Sequence, residues 1–155
     1  MSLEKVQAYF EQYNMVDRIK VFEQSSATVE LAAMAVGCEP ARIAKTMSFL
    51  QGEQAILIVT AGDVKIDNKK YKGQFHQKAK MIPGDLVESC IGHAPGGVCP
   101  FAIKDDIPVY LDESLKRFDI VYPAAGSGNS AIGLNLSELE TYSKACGWVD
   151  VCKVK

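Results

Sequence analysis

Two apolar runs joined by four turn-forming residues limit the folds open to this chain more than any other feature. Ile43-Ala44-Lys45-Thr46-Met47-Ser48-Phe49-Leu50 alternates, Gln51-Gly52-Glu53-Gln54 turns, and Ala55-Ile56-Leu57-Ile58-Val59-Thr60 is apolar almost throughout. The pattern predicts a hairpin whose second strand is central to a sheet and covered on both faces. Lys45 is the exception within it. A period of two puts Ile43, Lys45, Met47 and Phe49 on one face, so an ammonium shares its side with three large apolar residues. An unpartnered buried ammonium is costly, which leaves two readings: Lys45 snorkels at the strand end, or it points into a pocket that receives an anion.

The rest of the chain alternates helix and strand patterns. Leu3, Val6, Phe10 and Tyr13 recur at helical spacing over 2–13, with Ser2 as cap. Residues 19–23 read as a strand, and Ser25-Ser26-Ala27-Thr28 offers a cap for a helix over 29–36 that Gly37 ends. Helices are expected over 67–76, capped by Asp67, over 86–91, and from a Ser137-x-x-Glu140 capping box to Cys146. Short strands are expected at 101–103, 107–111, 118–122, 131–135 and 148–151. With 155 residues, no repeat and no linker, one domain over 1–155 is expected. Interspersed helices with hairpin and crossover links favour an α/β (α+β) architecture: a mixed, partly closed, barrel-like sheet with helices around it. Neither G-x-G-x-x-G after the first strand nor G-x-x-x-x-G-K-[ST] occurs, which disfavours a doubly wound nucleotide fold.

The stretch His93-Ala94-Pro95-Gly96-Gly97-Val98-Cys99-Pro100-Phe101-Ala102 has the make-up of a binding loop. Adjacent glycines let a ligand approach bare backbone, and Pro95 and Pro100 fix φ on either side. A rigid surface turn without a ligand is the competing reading. The five cysteines are odd in number and never spaced C-x-x-C, so neither a disulfide framework nor a zinc site is expected. Cys99 lies within the loop, but a nucleophilic thiol needs a base in reach, and only His76 and His93 exist. Nothing in the sequence requires a metal or a cofactor. Without a leader pattern or an apolar run near 18 residues, a cytoplasmic protein without a membrane partner is expected. The formal net charge of −2 hides a local excess. Lys65, Lys69, Lys70, Lys72, Lys78 and Lys80 face a single acid, Asp67, between residues 65 and 80. That patch is either a solvated face or a contact for nucleic acid, with Lys69, Lys70 and Lys72 as the candidate contact residues.

Four features, in order along the chain, resemble the YbaK/EbsC proteins, relatives of the editing domain inserted in bacterial prolyl-tRNA synthetases. They are Ser26-x-Thr28-Val29-Glu30-Leu31-Ala32-Ala33, Lys45 within Ile43-Ala44-Lys45-Thr46, Gly96-Gly97-Val98-Cys99-Pro100-Phe101, and the segment Gly126 to Leu134. The resemblance implies trans-editing, the hydrolysis of the ester between a wrong amino acid and the 3′-terminal adenosine of a mischarged tRNA, with an aminoacyl-tRNA synthetase as a further partner. It implies that Lys45 holds the terminal phosphate or ribose, and that Gly96, Gly97 and Pro100 set backbone amides against the aminoacyl carbonyl. Thr28, Val98, Cys99, Asn129 and Ser130 are the expected substrate contacts. Ser130 stands where relatives that clear alanine from proline tRNA carry a histidine. A binding module without turnover, and a hydrolase of small esters, are the alternative readings.

Overall fold

The computed structural model describes residues 2–155. In chain order its elements are α1 (Ser2–Glu11), β1 (Ile19–Val21), α2 (Val29–Val36), β2 (Ile43–Gln51), β3 (Gln54–Ala61), β4 (Val64–Ile66), α3 (Asn68–Phe75), α4 (Gly84–Ile91), β5 (Val109–Asp112), β6 (Ile120–Pro123), β7 (Ser130–Ile132), β8 (Leu134–Asn135), α5 (Leu136–Ser143), β9 (Gly147–Val149) and β10 (Cys152–Val154). Six strands form one mixed sheet in the order β8-β6-β2-β3-β5-β9, curled into a half-barrel with helices around it. Two ribbons, β1-β7 and β4-β10, extend it.

The β2–β3 hairpin is the expected one. Eight residue pairs run from Ala44↔Ala61 to Gln51↔Gln54, with Gly52 at φ 65° in the tight turn. β3 is buried from Ile56 to Ala61, because β2 and β5 flank it and side chains cover both faces. Leu57, Ile58 and Val59 are fully buried, each contributing about 1.5–3 kcal/mol of apolar burial. A smaller cluster, Ala32, Ala33 and Ile43 with Val29, Val36 and Tyr122, seats α2 on the β2–β6 side of the sheet.

Local capping chemistry fixes the helix ends. Thr28 caps α2 by accepting from the Leu31 amide (3.2 Å), and Gly37 ends it at φ 85°. Asp67 caps α3 through the Lys69 and Lys70 amides (3.0 and 3.2 Å). The capping box of α5 is formed by Asn135 and Glu138, not by Ser137 and Glu140. Asn135 ends β8 with extended backbone, as a cap requires, whereas Ser137 is already inside the helix. Lys144 at φ 54° then stops α5 at Ser143, short of Cys146.

Other expectations shift for tertiary reasons. α1 begins at Ser2 itself and ends at Glu11. Residues 101–103 form no strand: Phe101 is fully buried with its ring 4.9 Å from that of Phe10, and Ala102 turns to φ 53°. Strands β4 and β10 were not expected. Three residues each, they are too short and too charged to show a period, and they exist by pairing with each other.

Gly62, in the β3–β4 turn, leaves no room for a side chain. A Cβ there would lie 2.1 Å from the Pro40 carbonyl oxygen and 2.7 Å from Val29 Cγ1. Gly62→Ala is therefore expected to destabilise the protein by about 3 kcal/mol, read as a lower urea midpoint with an unchanged slope. A wild-type midpoint would contradict this packing.

Candidate functional site

A cavity of about 420 Å³ opens between the start of α2, strand β2, the start of α4, the 95–98 bend and the β6–β7 segment. Lys45, Gly96, Val98, Thr28 and Ser130 all line it. Their side chains and backbone come from four separate stretches, brought together by the sheet. Among the described residues on its wall, Lys45 is the one charged side chain, and no carboxylate, imidazole or thiol faces the space.

Lys45 is half-buried, and its Nζ donates to the Val64 carbonyl at 2.5 Å. One of three ammonium donors is thus engaged, leaving two for an anion or hydroxyl. Burial holds its pKa below the usual lysine value, and nearby Lys155 acts in the same direction, against a smaller pull from Asp63 and Glu30. Lys45 thus lines the cavity while its head is held by a backbone carbonyl of β4.

The glycine bend is stacked rather than free. The Gly97 amide donates to the Ala94 carbonyl (3.0 Å), and Gly96 adopts φ 89°, a left-handed conformation suited to glycine. Gly97 meets a different demand: an added Cβ would lie 2.8 Å from the Ser127 backbone. The second small-residue segment, 126–130, therefore supports the first. Asn129 ties that segment to the end of β1, its Nδ2 donating to the Phe22 carbonyl (3.0 Å) and its Oδ1 accepting from Ser127 Oγ (2.8 Å). Ser130 is buried on the cavity wall with its Oγ 2.6 Å from Ser127 Oγ.

Several expected contacts lie off this wall. Gly97 and Asn129 act behind it as supports, and Pro100 lines a separate cavity beside Tyr9 and Tyr142. Cys99 is fully buried, and desolvation pushes its thiol up to about 12, so it stays protonated near neutral pH. Its Sγ lies 3.5 Å from His93 Nε2, behind the bend. That histidine closes the loop: Nε2 is 2.7 Å from the Phe101 carbonyl, which makes Nε2 the protonated nitrogen and links the two ends of the 93–101 stretch. Lys69 and Lys72 are exposed on α3, and Lys70 pairs with Asp150 (3.1 Å) and donates to the Cys152 carbonyl (3.0 Å).

Two hydroxyls that sequence reasoning left out of the site belong to wall residues. Ser26 Oγ and Thr46 Oγ1 are buried without a hydrogen-bond partner among the described residues. Unpaired buried hydroxyls are costly, so their place beside a cavity points to contact with an occupant. The signal was weak: Ser26 sits in a capping cluster, and Thr46 merely follows Lys45. Chemically, the site offers a cation, a bend of backbone polar groups and small hydroxyls. It is equipped to hold a polar ligand, not to supply a nucleophile.

The family model of the aminoacyl-tRNA editing domain matches residues 23–142. The Bacillus subtilis (strain 168) protein YwhH, described as uncharacterized, is 52% identical over 154 residues, covering 99% of this chain and 98% of its own. An Enterococcus faecalis (strain ATCC 700802 / V583) protein named "Putative Cys-tRNA(Pro)/Cys-tRNA(Cys) deacylase EbsC" is 26% identical over 86% of this chain and 88% of its own. A crystal structure described as "a putative trans-editing enzyme for prolyl tRNA synthetase" superposes with a TM-score of 0.87 at 26% identity, covering 98% of this chain and 97% of the other.

His93 and Cys99 generate two expectations. Burial, aided by Lys5 and opposed by the Phe101 carbonyl, keeps the His93 pKa below its ordinary value of 6.5. The unfolded chain therefore binds a proton at a higher pH than the native state, and stability falls as pH drops below about 6.5 towards the native value. His93→Gln should flatten the dependence of unfolding free energy on pH in that window, measured by urea titration; an unchanged slope would contradict the assignment. In native protein, iodoacetamide should modify exposed Cys146 while Cys99 stays unlabelled, as read by peptide mass spectrometry. Early labelling of Cys99 would place it on an accessible wall.

Proposed function

The chain belongs to the aminoacyl-tRNA editing domain family, and from that premise we propose that it is a trans-editing deacylase, one domain over 1–155 that hydrolyses the ester of a mischarged tRNA in the cytoplasm. The observation that carries the reading is that Lys45 and the Gly96 bend line one cavity with a single charged residue on its wall. The two free donors of Lys45 hold the terminal phosphate or ribose of the tRNA. The Gly96–Val98 backbone faces the aminoacyl group, Ser130 and Thr28 border it, and Gly97, Pro100 and Asn129 keep the bend in place.

Such a site works by positioning. A water molecule adds to the ester carbonyl and gives up a proton to the neighbouring ribose hydroxyl, which passes its own proton to the departing ribose oxygen as the acyl–oxygen bond breaks. The products are a free amino acid and a tRNA with an intact terminal diol. Holding water, ester and diol in one geometry supplies much of the acceleration, and amides aimed at the developing oxyanion supply more. No side chain on the wall has to act as nucleophile. The wall offers no carboxylate to pair with a cationic amino-acid side chain, so the cavity suits a small uncharged one. The name of the Enterococcus relative, which specifies cysteinyl esters, agrees with that size class. A synthetase is the partner that would hand over the tRNA.

The absence of an acid or base on the described wall also favours a second reading, a module that binds the acylated end without turnover. A panel of mischarged tRNAs, including cysteinyl and alanyl esters of proline tRNA, separates the two. Wild type should release at least one amino acid, and Lys45→Met should lower that rate on the order of 100-fold. The same variant should melt at or above the wild-type temperature, because it removes a half-buried ammonium. Binding without release would leave the module, and a fully active Lys45→Met would remove Lys45 from the mechanism.

A further inference from the structure

We propose that the β4–β10 ribbon is a docking surface for the sugar-phosphate backbone of the tRNA whose acylated end enters the cavity, a reading that rests on the editing function for the identity of the RNA. The ribbon sets Lys153 directly opposite Lys65. Like charges on facing positions of an antiparallel pair repel at close range and destabilise it. Alternation places Lys155 on the same face two residues on, while Val64 and Cys152 turn inward and are buried. Two opposed lysines thus lie outward on a ribbon only three residues long, with Lys155 just past the end of β10 completing a row.

Within the described residues that row is poorly compensated, the Asp67 carboxylate being near enough to Lys153 for their charges to interact. Among the described residues, the side chains of Lys65, Lys153 and Lys155 make no ion pair or hydrogen bond. The nearby acids are engaged elsewhere: Asp63 pairs with Arg117 (2.6 Å), Asp150 with Lys70 (3.1 Å), and Asp67 accepts the two amides that cap α3. In a chain of net charge −2, a cationic face of this kind is complementary to an anionic partner, which would offset its repulsion.

The position of the ribbon selects the partner. Lys45, the cation on the cavity wall, donates to the Val64 carbonyl of β4 itself, so the strand that carries Lys65 also holds the wall lysine. Lys155 is close enough to lower the affinity of Lys45 for its proton. Lysines two residues apart on one strand face project about 6.8 Å apart, a separation comparable with that of successive phosphates along a nucleic-acid strand. A polyanion whose end occupies the cavity would therefore continue along the ribbon and towards Lys69 and Lys72 on α3. A lipid headgroup surface has no such end to place there.

The test is the salt dependence of binding to fluorescently labelled, deacylated bulk tRNA, measured by anisotropy between 50 and 250 mM KCl. Each phosphate contact contributes about one unit to the slope of log affinity against log salt. K65Q/K153Q should reduce the magnitude of the wild-type slope by about 2 and weaken binding roughly tenfold at the lowest salt, while K65R/K153R keeps both. Relief of the cross-strand repulsion should leave K65Q/K153Q melting at or above the wild-type temperature, which keeps the outcome separate from unfolding. An unaltered slope in K65Q/K153Q, with deacylation intact in wild type, overturns the ribbon and leaves the editing reading standing. A slope that falls as expected in a protein that releases no amino acid supports the ribbon and removes that reading. Equal affinity for phosphatidylserine vesicles, lost in the same variant, overturns the assignment to RNA.

Discussion

The antiparallel ladder between β2 and β3 sets the position of everything that reaches the cavity. It holds Lys45 opposite Thr60 in a strand whose neighbours are almost all apolar, and no local interaction would keep an ammonium there. What makes the placement tolerable is the Val64 carbonyl of β4, which accepts a hydrogen bond from the ammonium, and the open cavity that the side chain lines. Burial of the strand and function of the lysine are therefore in tension. The sheet supplies the free energy that keeps the lysine half-desolvated on the cavity wall.

Opposite that lysine, rigidity comes from loops packed on loops. Gly97 lies against Ser127 too closely for any side chain, Gly128 gives its carbonyl to the Ser26 amide (2.7 Å), and His93 joins the loop ends through Phe101. Each contact removes freedom from a segment that has no regular structure of its own. A bend held in this way presents its backbone in one orientation, which is what positioning a carbonyl requires. The buried Cys99–His93 contact belongs to that scaffold, since the thiol stays protonated and away from the wall.

Charge is distributed to match. The cavity carries one cation, and the ribbon and α3 carry further exposed lysines with few compensating acids, although the protein as a whole is slightly acidic. On the proposed reading, attraction of a polyanion at range and its fixation at the cavity would be separate tasks for different lysines: exposed ones that salt can screen and a half-buried one that it screens far less.

The sequence by itself determined the hairpin, the capping cluster ending at Thr28, the cap at Asp67 and the unusual standing of Lys45, because each depends on periodicity or on contacts a few residues apart; the order of helix and strand patterns also pointed to a mixed sheet. It also marked the glycine bend, since two adjacent glycines between prolines are legible without coordinates. Only the tertiary structure decided that Lys45, Gly96, Thr28 and Ser130 share one wall, that Cys99 and Pro100 face away from it, and that Lys65 meets Lys153. Those outcomes depend on which strands pair and which faces pack. Residues 19 to 107 positions apart interact here through the fold, and no local pattern in the chain encodes that closure.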